Sequence, residues 1–220
     1  LRVELQPLLG LLLGGGGDAL ALVDQDGGAA LSFRRLAARL GVQAPSLYEH
    51  VRSKDQLVDL VAEALLDREL RSWHPPEHWE ELLHYTATWL HRCLQAQPLL
   101  RESLKRRPTA TRGSVELVES VLQSLAGAGF DERTAISTYM VLFGLCLAVA
   151  DLQAARAGIP PQELENLQRL LDQSPSEEFP LVRRHASELG VLATSEHLDY
   201  AITELVMGLA ARLAQSSTAP

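Results

Sequence analysis

A glycine turn between two short helical segments constrains the fold of this chain more than any other sequence feature. Ser32 is placed to cap a first helix, in which apolar residues recur at helical spacing. Gly41 ends that segment, because glycine adopts the left-handed conformation at a helix C-terminus at little cost. Pro45 suits the first turn of a second helix, which we place over about residues 43–50.

A third helix is predicted directly after the second. Ser53 and Gln56 form the Ser-x-x-Gln pattern of a capping box. We expect Val42 and Leu47 to anchor the short second helix inward. A short exposed helix that two others support across a glycine turn is the construction that enters a DNA major groove.

The charge of the same segment agrees with DNA contact. From Ser32 to Lys54 there are five basic side chains and one acidic side chain, a local charge of +4 in a chain of net charge −8. Phosphate contact is the simplest reason for local positive charge in an acidic protein. A solvated helical face is the alternative, because arginine is common on protein surfaces.

The run LAARLGVQAPSLYEHVRSKDQLVDLVAEALL, residues 36–66, resembles the DNA-binding segment of TetR-type transcriptional regulators. That family has a helix ending in A-x-x-L-G-V, then L-Y-x-H, then K-D-x-L. The run from Pro45 to Val51 is most similar to the branch that contains the tetracycline repressor. The resemblance implies an all-α fold, with an N-terminal three-helix helix-turn-helix domain and a larger C-terminal helical domain that binds a ligand and dimerises.

The resemblance also implies how the segment contacts double-stranded DNA. Family members read bases with the first residues of the recognition helix and hold phosphates with the later ones. Ala44 can contact a thymine methyl, Arg34 can reach a guanine edge, and Lys54 at a helix N-terminus suits a phosphate. Glu49 either accepts from a cytosine amine or points to solvent. The candidate DNA-binding residues are Ser32, Arg34, Gln43, Ala44, Pro45, Ser46, Tyr48, Glu49, His50 and Lys54.

The N-terminus departs from the family pattern. Four consecutive glycines, Gly14–Gly17, stand where the first half of a helix is expected. Each costs about 1 kcal/mol relative to alanine in a helix interior. We therefore expect residues 1–17 to be irregular or frayed. The same glycines make a poor signal-peptide cleavage site, so we expect a cytoplasmic protein.

The rest of the chain is predicted to be helical throughout. The Trp73–Pro76 segment breaks the pattern and marks a domain boundary. We expect a DNA-binding domain over residues 18–72, an effector-binding and dimerisation domain over 73–214, and a flexible tail over 215–220. The predicted helices, eight to ten in all, include residues 55–70, 79–96, 99–105, 114–125, 131–156, 162–171, 181–189 and 196–213.

Two of these helices carry more apolar surface than one small helical layer can bury. The run after Ala135 is apolar nearly all round, and the last helix has a long apolar stripe. Two copies could form a four-helix bundle, although the same residues could instead form a monomer core. The family dimerises through such a bundle, so we expect a homodimer on a palindromic operator. The candidate interface residues are Leu198, Ile202, Leu205, Val206 and Leu209.

The resemblance further implies a small-molecule effector pocket in the larger domain. Aromatic walls with a few hydroxyl groups suit an apolar effector, although each candidate is singly more often a core residue. The tetracycline repressor binds a drug–magnesium complex through a turn whose His and Thr positions are Ser103 and Arg106 here. A cation there would repel Mg²⁺, so we do not expect tetracycline–Mg²⁺ as the effector. The candidate ligand-binding residues are Tyr85, Trp89, Cys93, Val121, Tyr139, Met140, Phe143 and Cys146.

The sequence contains no pattern that indicates a catalytic site, a bound cofactor or a membrane-spanning segment. The seven histidines lack Cys or carboxylate partners at ligand spacing, so no metal site is expected. We find no phosphate loop, nucleophile elbow or uninterrupted apolar run of membrane-spanning length. We expect a ligand-responsive, sequence-specific DNA-binding regulator, a repressor released by its effector. The alternative is a helical ligand-binding or multimerising protein that has lost DNA binding.

Overall fold

The computed structural model describes residues 18–28, 31–49, 51–106, 111–157, 166–189 and 194–216. These residues form α-helices and no β-strand, as the sequence predicts. They contain twelve helices, more than the eight to ten expected, because the part after residue 165 divides into short pieces. The predictions for residues 1–17 and for the last four residues of the tail lie outside the described residues.

The first four helices share one hydrophobic core. Ser32 caps the second helix as predicted, because its Oγ accepts the Arg35 N–H at 3.3 Å. Gly41 ends that helix with φ 67°, the left-handed conformation that favours glycine. Arg68 donates to both carboxylate oxygens of Asp24, at 2.8 and 3.2 Å, and so ties the fourth helix to the first. The helices are α1 (Asp18–Asp26), α2 (Phe33–Leu40), α3 (Ala44–Tyr48) and α4 (Lys54–Leu70).

The short helix α3 is held by one of its two expected anchors. Leu47 is buried as predicted, but Val42 is 36% exposed, because it lies in the turn before α3 and not on the packed face. The predicted cap of α4 is confirmed, since Ser53 Oγ accepts the Gln56 N–H at 3.1 Å. Gln56 Oε1 in turn accepts the Arg52 N–H at 2.8 Å, one residue before the cap.

The remaining helices surround a second hydrophobic core. Ala62 and Leu66 of α4 belong to this second core, whereas Leu65 belongs to the first, so α4 joins the two. The helices are α5 (Trp79–Ala96), α6 (Pro98–Arg106), α7 (Arg112–Gly127), α8 (Glu132–Ala157), α9 (Asn166–Gln173), α10 (Pro180–Arg184), α11 (Ala186–Leu189) and α12 (Ser195–Ser216).

Several predicted helices in this region differ from the structure, most clearly at the start of α7 and between α10 and α11. The helix predicted over residues 114–125 begins earlier, because Thr111 is the cap of α7. Thr111 Oγ1 accepts the Ser114 N–H at 3.0 Å, and Ser114 Oγ accepts the Thr111 N–H at 3.1 Å. The helix expected over residues 181–189 is interrupted at His185. Asp131, the first residue of the helix predicted over 131–156, is the cap of α8, because its Oδ1 accepts the Thr134 N–H at 3.0 Å.

The long helix α8 is buried on one side only, not on several as expected. It contacts α5, α7 and α12 through its inner face. Its length and apolar composition would by themselves allow it to cross a membrane, but here the inner face belongs to the second core. Ile136, Met140 and Val141 are 52%, 53% and 48% exposed, which leaves an apolar outer face.

The predicted dimer stripe of α12 faces the core of its own protomer. Four of its residues are buried there and Leu205 is half-buried against them, because this stripe packs on α5 and α8. The outward face of α12 instead carries Tyr200 and Met207, which are 67% and 61% exposed. The buried four are Leu198, Ile202, Val206 and Leu209.

Candidate DNA-binding surface and effector region

The structure brings most of the candidate DNA-binding residues together on an exposed surface around α3. Two are half-buried, because Ser32 caps α2 and Ala44 packs against the first core. His50 lies outside the described residues. The exposed candidates are Arg34, Gln43, Pro45, Ser46, Tyr48, Glu49 and Lys54.

Tyr48, at the end of α3, is fixed by an aromatic stack. Its ring lies on that of Phe33, with centroids 4.2 Å apart and an angle of 21° between the planes. Phe33 is buried in the first core, whereas Tyr48 remains 55% exposed. The stack sets the orientation of α3 on α2 while leaving much of the tyrosine accessible to DNA.

The basic residues of this surface divide into two groups. Arg35 lies 3.6 Å from Asp26, and Arg39 Nη1 donates to Gln25 Oε1 at 2.9 Å, so both are engaged with the end of α1. The side chains of Arg34, Arg52 and Lys54 make no hydrogen bond or ion pair with any described residue. Three cationic groups are thus available to phosphates.

Arg52 was not among the predicted contacts, although its position between α3 and α4 could have suggested it. It is exposed, and only its backbone N–H is engaged, with Gln56. Lys54 is the first residue of α4, where the unpaired backbone N–H groups of a helix N-terminus favour an anion. These two residues extend the basic surface beyond α3.

Helix α6 connects the second core to the DNA-binding part. Asp59 of α4 accepts from Ser103 Oγ at 3.0 Å and from Arg106 Nη2 at 2.7 Å. At the other end of α6, Leu99 packs against the first core beside Gly28, where an added Cβ would lie 2.6 Å from Leu99 Cγ. The positions that resemble a drug–magnesium turn therefore hold α6 against α4 here.

Most of the candidate effector residues lie in the second core. Tyr139 and Phe143 stack with their centroids 6.2 Å apart, and Cys146 Sγ lies 3.5 Å from the Ala87 carbonyl oxygen. Met140 does not join them: as the neighbour of Tyr139 it points about 100° away around α8, and it is 53% exposed. The buried candidates are Trp89, Cys93, Val121, Tyr139, Phe143 and Cys146.

Tyr85, the remaining candidate, lies half-buried at the edge of this core. Its hydroxyl accepts the His74 N–H at 3.0 Å and donates to the Ser72 carbonyl oxygen at 3.4 Å. It therefore fastens the segment after α4 to α5. That segment presents Trp73, whose ring centroid lies 6.2 Å from that of Trp89. Trp73 was predicted only as part of a domain boundary, and the structure places it against Trp89, one of the candidate effector residues.

Cys93, Tyr139 and Cys146 of this core stay neutral at physiological pH. Burial raises the pKa of Cys93 and of Cys146 to about 12, and burial likewise raises the pKa of Tyr139 to about 12. Both cysteines are free and buried thiols. In the part of the chain that the structure describes, no three His, Cys, Asp or Glu side chains come close enough to hold a metal ion.

This geometry defines a class of protein: a helical DNA-binding regulator with a helix-turn-helix part and a second helical core. Residues 18–61 match the family of bacterial regulatory proteins of the tetR type. The chain is 28% identical over 209 residues to the class E tetracycline repressor of Escherichia coli, covering 92% of each sequence. It is 30% identical to the class D repressor of E. coli over 162 residues, covering 70% of this chain and 72% of the relative.

A solved structure shows the same architecture. The ActR protein of Streptomyces coelicolor in complex with actinorhodin superimposes with a TM-score of 0.74 at 26% identity, covering 89% of this chain and 94% of that one. The chain belongs to the TetR family of bacterial regulatory proteins. It is a ligand-responsive, DNA-binding transcriptional regulator.

Proposed function

We propose that the protein is a repressor, which leaves a palindromic operator when a small apolar effector binds in the second core. The observation that carries this proposal is the position of α4, which begins at the basic DNA-binding surface with Lys54 and reaches the second core with Leu66 and Leu70. One rigid helix thus joins the residues that can hold phosphates to the residues that can surround an effector. We also propose residues 18–72 and 73–214 as the two domains, in a cytoplasmic protein.

The residues around α3 have separate roles on DNA in this proposal. Gln43, Ala44 and Ser46 at the start of α3 face base edges, together with Arg34 from α2. Tyr48 and Lys54 hold phosphates, and we add Arg52 because its side chain is exposed and unpaired among the described residues. Base-edge contacts set sequence preference, while phosphate contacts set register and salt dependence.

Dimerisation uses the outer faces of α8 and α12, not the stripe predicted from the sequence. Met140, Val141, Tyr200 and Met207 are all about half or more exposed and lie on these two helices. Gly144 and Gly208 are also exposed there, and small residues allow two helices to approach closely. A second copy would bury these faces in a two-fold interface and bring two α3 helices to adjacent half-sites, about 34–36 Å apart.

The effector of this protein differs in chemistry from a drug–magnesium complex. Curated relatives are repressors of the tetracycline type, and ActR is described in complex with actinorhodin. Arg106 of this chain carries a positive charge in the turn that corresponds to the magnesium-binding turn of the tetracycline repressor. Both Ser103 and Arg106 are hydrogen-bonded to Asp59. An organic effector without a metal ion suits this arrangement better.

Release of DNA follows from a change in the position of α4. An effector acts only through the difference in its affinity for the DNA-bound and DNA-free conformations. Because α6 is tied to α4 through Asp59 and to α8 through the ion pair of Arg101 with Asp151, at 3.0 Å, a change in the second core reaches α4 directly.

The test is fluorescence anisotropy of the full-length protein with the DNA that flanks its own gene, across a salt series. We expect binding that depends on a palindrome and weakens steeply with salt. Lys54→Ala and Arg112→Ala form a matched pair, because each removes one exposed positive charge, but Arg112 lies on α7 and pairs with Glu116. If the protein binds this DNA no better than random DNA, and Lys54→Ala changes nothing, the alternative of a ligand-binding protein without DNA binding is favoured.

A further inference from the structure

Helix α6 contacts the DNA-binding part at a glycine that leaves no room for a side chain. Gly28 lies in the turn between α1 and α2, and the side chain of Leu99 packs directly on it. A Cβ atom at residue 28 would lie 2.6 Å from Leu99 Cγ and 3.1 and 3.3 Å from its two Cδ atoms. Carbon atoms of neighbouring residues normally pack at about 3.5–4.0 Å, so the turn can approach α6 this closely only because residue 28 is glycine.

The other side of α6 is fixed to the second core. Leu100 and Leu104 are buried in it, at 1% and 4% exposure. The buried Arg101 side chain donates to the Leu94 carbonyl oxygen at 2.9 Å, and its Nε lies 3.0 Å from Asp151 of α8. Helix α6 therefore moves with the second core, and its contact with the glycine turn is a contact between the two parts of the protein.

The glycine turn leads directly into the residues that hold the recognition helix α3. The Leu31 N–H donates to the Gly28 carbonyl oxygen at 3.2 Å, and Leu31 is fully buried in the first core. The next residue, Ser32, caps α2, and Phe33 of α2 stacks on Tyr48 at the end of α3. A displacement of the turn is therefore carried to α3, because closely packed side chains leave little free volume to absorb it.

The backbone conformation of Gly28 does not itself require glycine. Gly27 and Gly41 have φ values of 76° and 67°, in the left-handed region, whereas Gly28 has no such positive φ. An alanine at residue 28 would fit the backbone and is opposed by the Leu99 side chain. Since the obstacle is one side chain, truncating Leu99 should make room for the alanine.

We propose, resting on the dimer and the palindromic operator proposed above, that Gly28 is a positioning residue for DNA binding. Its close contact with Leu99 sets the orientation of the helix-turn-helix part on the second core, and thereby the separation of the two recognition helices. This contact is distinct from the link through Asp59, which ties α6 to α4 and not to the turn between α1 and α2. A methyl group at residue 28 changes the half-site spacing that the protein prefers, while every candidate DNA-binding side chain is kept.

The orientation is measured first without DNA, by double electron–electron resonance between two spin labels on the full-length protein. Ala38→Cys on α2 and Glu81→Cys on α5 give exposed attachment sites, whereas both native cysteines are buried. Dilution with an excess of unlabelled protein isolates the distance within one protomer. We expect Gly28→Ala to shift the mean distance by about 1–2 Å, because the added Cβ needs about 1 Å more room beside α6.

Three further variants separate this contact from a general loss of packing. Gly28→Ala combined with Leu99→Ala should restore the wild-type mean distance. Gly127→Ala is the matched control, since an added Cβ there has no neighbour within 4 Å, and it should leave the distance unchanged. Circular dichroism melting establishes that each variant is folded. If Gly28→Ala does not fold, Leu99→Ala alone removes the contact without adding an atom, and it should broaden the distance distribution.

Anisotropy titrations then measure the effect on DNA. The wild type should prefer the native palindrome over palindromes lengthened or shortened by one base pair, because each base pair changes the half-site separation by about 3.4 Å. Gly28→Ala should lower this preference by about tenfold and leave the affinity for a single half-site within about twofold. The double variant with Leu99→Ala should recover the wild-type preference. A substitution that merely destabilised the fold would weaken binding to the palindrome and to the half-site alike.

The inference is overturned if Gly28→Ala keeps the wild-type distance, because Leu99 would then move aside without displacing the turn. It is overturned equally if Leu99→Ala does not reverse the shift, or if Leu99→Ala alone leaves the distance distribution as narrow as in the wild type. Palindrome-dependent binding with an unchanged spacing preference in Gly28→Ala would overturn the inference alone. A wild-type protein that binds no palindrome, but whose variants show the shift in distance and its reversal, would overturn the repressor function alone.

Discussion

Arg106 Nη2 of α6 donates to Asp59 Oδ1 of α4 at 2.7 Å, and Ser103 donates to the same oxygen at 3.0 Å. This acceptor holds the C-terminal end of α6 against the helix that joins the two cores. Asp59 is mostly buried, with 19% of its side chain exposed, whereas Arg106 is 44% exposed. The pair is therefore only partly screened by solvent.

A double-mutant cycle with Asp59→Asn and Arg106→Gln measures this link. We expect the two changes to couple by about 0.5–1 kcal/mol in the free energy of unfolding, a modest value because Arg106 is partly exposed to water. Urea denaturation at fixed protein concentration gives the four values. Additive effects would show that the ion pair of Arg106 with Asp59 does not contribute to the contact between the two helices.

Substitution of Lys54 and of Arg34 should affect DNA binding in different ways. Lys54→Ala should weaken binding to all sequences and lower the slope of log affinity against log salt by about 1, since one phosphate contact is lost. Arg34→Ala should instead reduce the preference for the operator over a site changed at one base pair. Anisotropy titrations on both DNAs measure the two effects. An equal loss of preference in both variants would contradict the separation of roles.

Removal of the Tyr48 hydroxyl should weaken DNA binding and leave the fold unchanged. Tyr48→Phe keeps the stack on Phe33 but loses a hydrogen bond to phosphate, so we expect affinity to fall by about fivefold to tenfold. Tyr48→Ala removes the stack as well and should also lower the melting temperature. If Tyr48→Phe binds DNA as tightly as the wild type, the hydroxyl does not contact phosphate.

A carboxylate introduced on the outer face of α12 should weaken dimerisation. Met207 is 61% exposed, and a two-fold interface would bury it in both copies, so Met207→Glu places two unpaired carboxylates in an apolar contact. We expect the dimer dissociation constant to rise by about tenfold or more. Leu170→Glu on α9, at a residue 60% exposed, is the control and should remain dimeric. Light scattering after size-exclusion chromatography measures both, and a Met207→Glu dimer as stable as the control would place the interface elsewhere.

Stability should fall in alkaline solution because buried thiols resist ionisation. Burial raises the pKa of Cys146 from its ordinary value of 9.0 to about 12. The unfolded chain therefore loses this proton from about pH 9, while the native state keeps it up to about pH 12. The free energy of unfolding should consequently decrease across that window, by at most about 1.4 kcal/mol per pH unit for each such group.

The Cys146→Val variant isolates the contribution of this thiol. Between pH 8 and pH 10.5 its unfolding free energy should decrease less steeply than that of the wild type, because one of the buried acids is absent. Chemical denaturation at both pH values provides the comparison. Parallel pH profiles would mean that the Cys146 thiol ionises in the native state as easily as in the unfolded chain.

Local signals in the sequence predicted much of the DNA-binding part. The cap at Ser32, the left-handed Gly41, the proline in the first turn of α3 and the cap at Ser53 all depend on residues within four positions of one another. Such contacts are the same in almost any fold that contains the segment. For that reason the amino-acid sequence alone predicts the helix-turn-helix arrangement.

Contacts between distant residues could not be predicted in the same way. Periodicity showed that α12 has an apolar stripe, but not whether a second copy or the protomer's own core covers it, and the structure places Ile202 and Val206 in the core. The pairing of Arg106 with Asp59 joins residues 47 positions apart, and that of Trp73 with Trp89 depends on how the segment after α4 folds back.

The sequence by itself determined the helices, their caps and the exposed basic turn, because these follow from short-range sterics, hydrogen bonds and charge. Only the tertiary structure decided which apolar faces are covered within one protomer, and which basic residues remain unpaired in the part of the chain that the structure describes. These properties depend on the packing of helices that lie far apart in the chain, and burial and pairing are set by that packing.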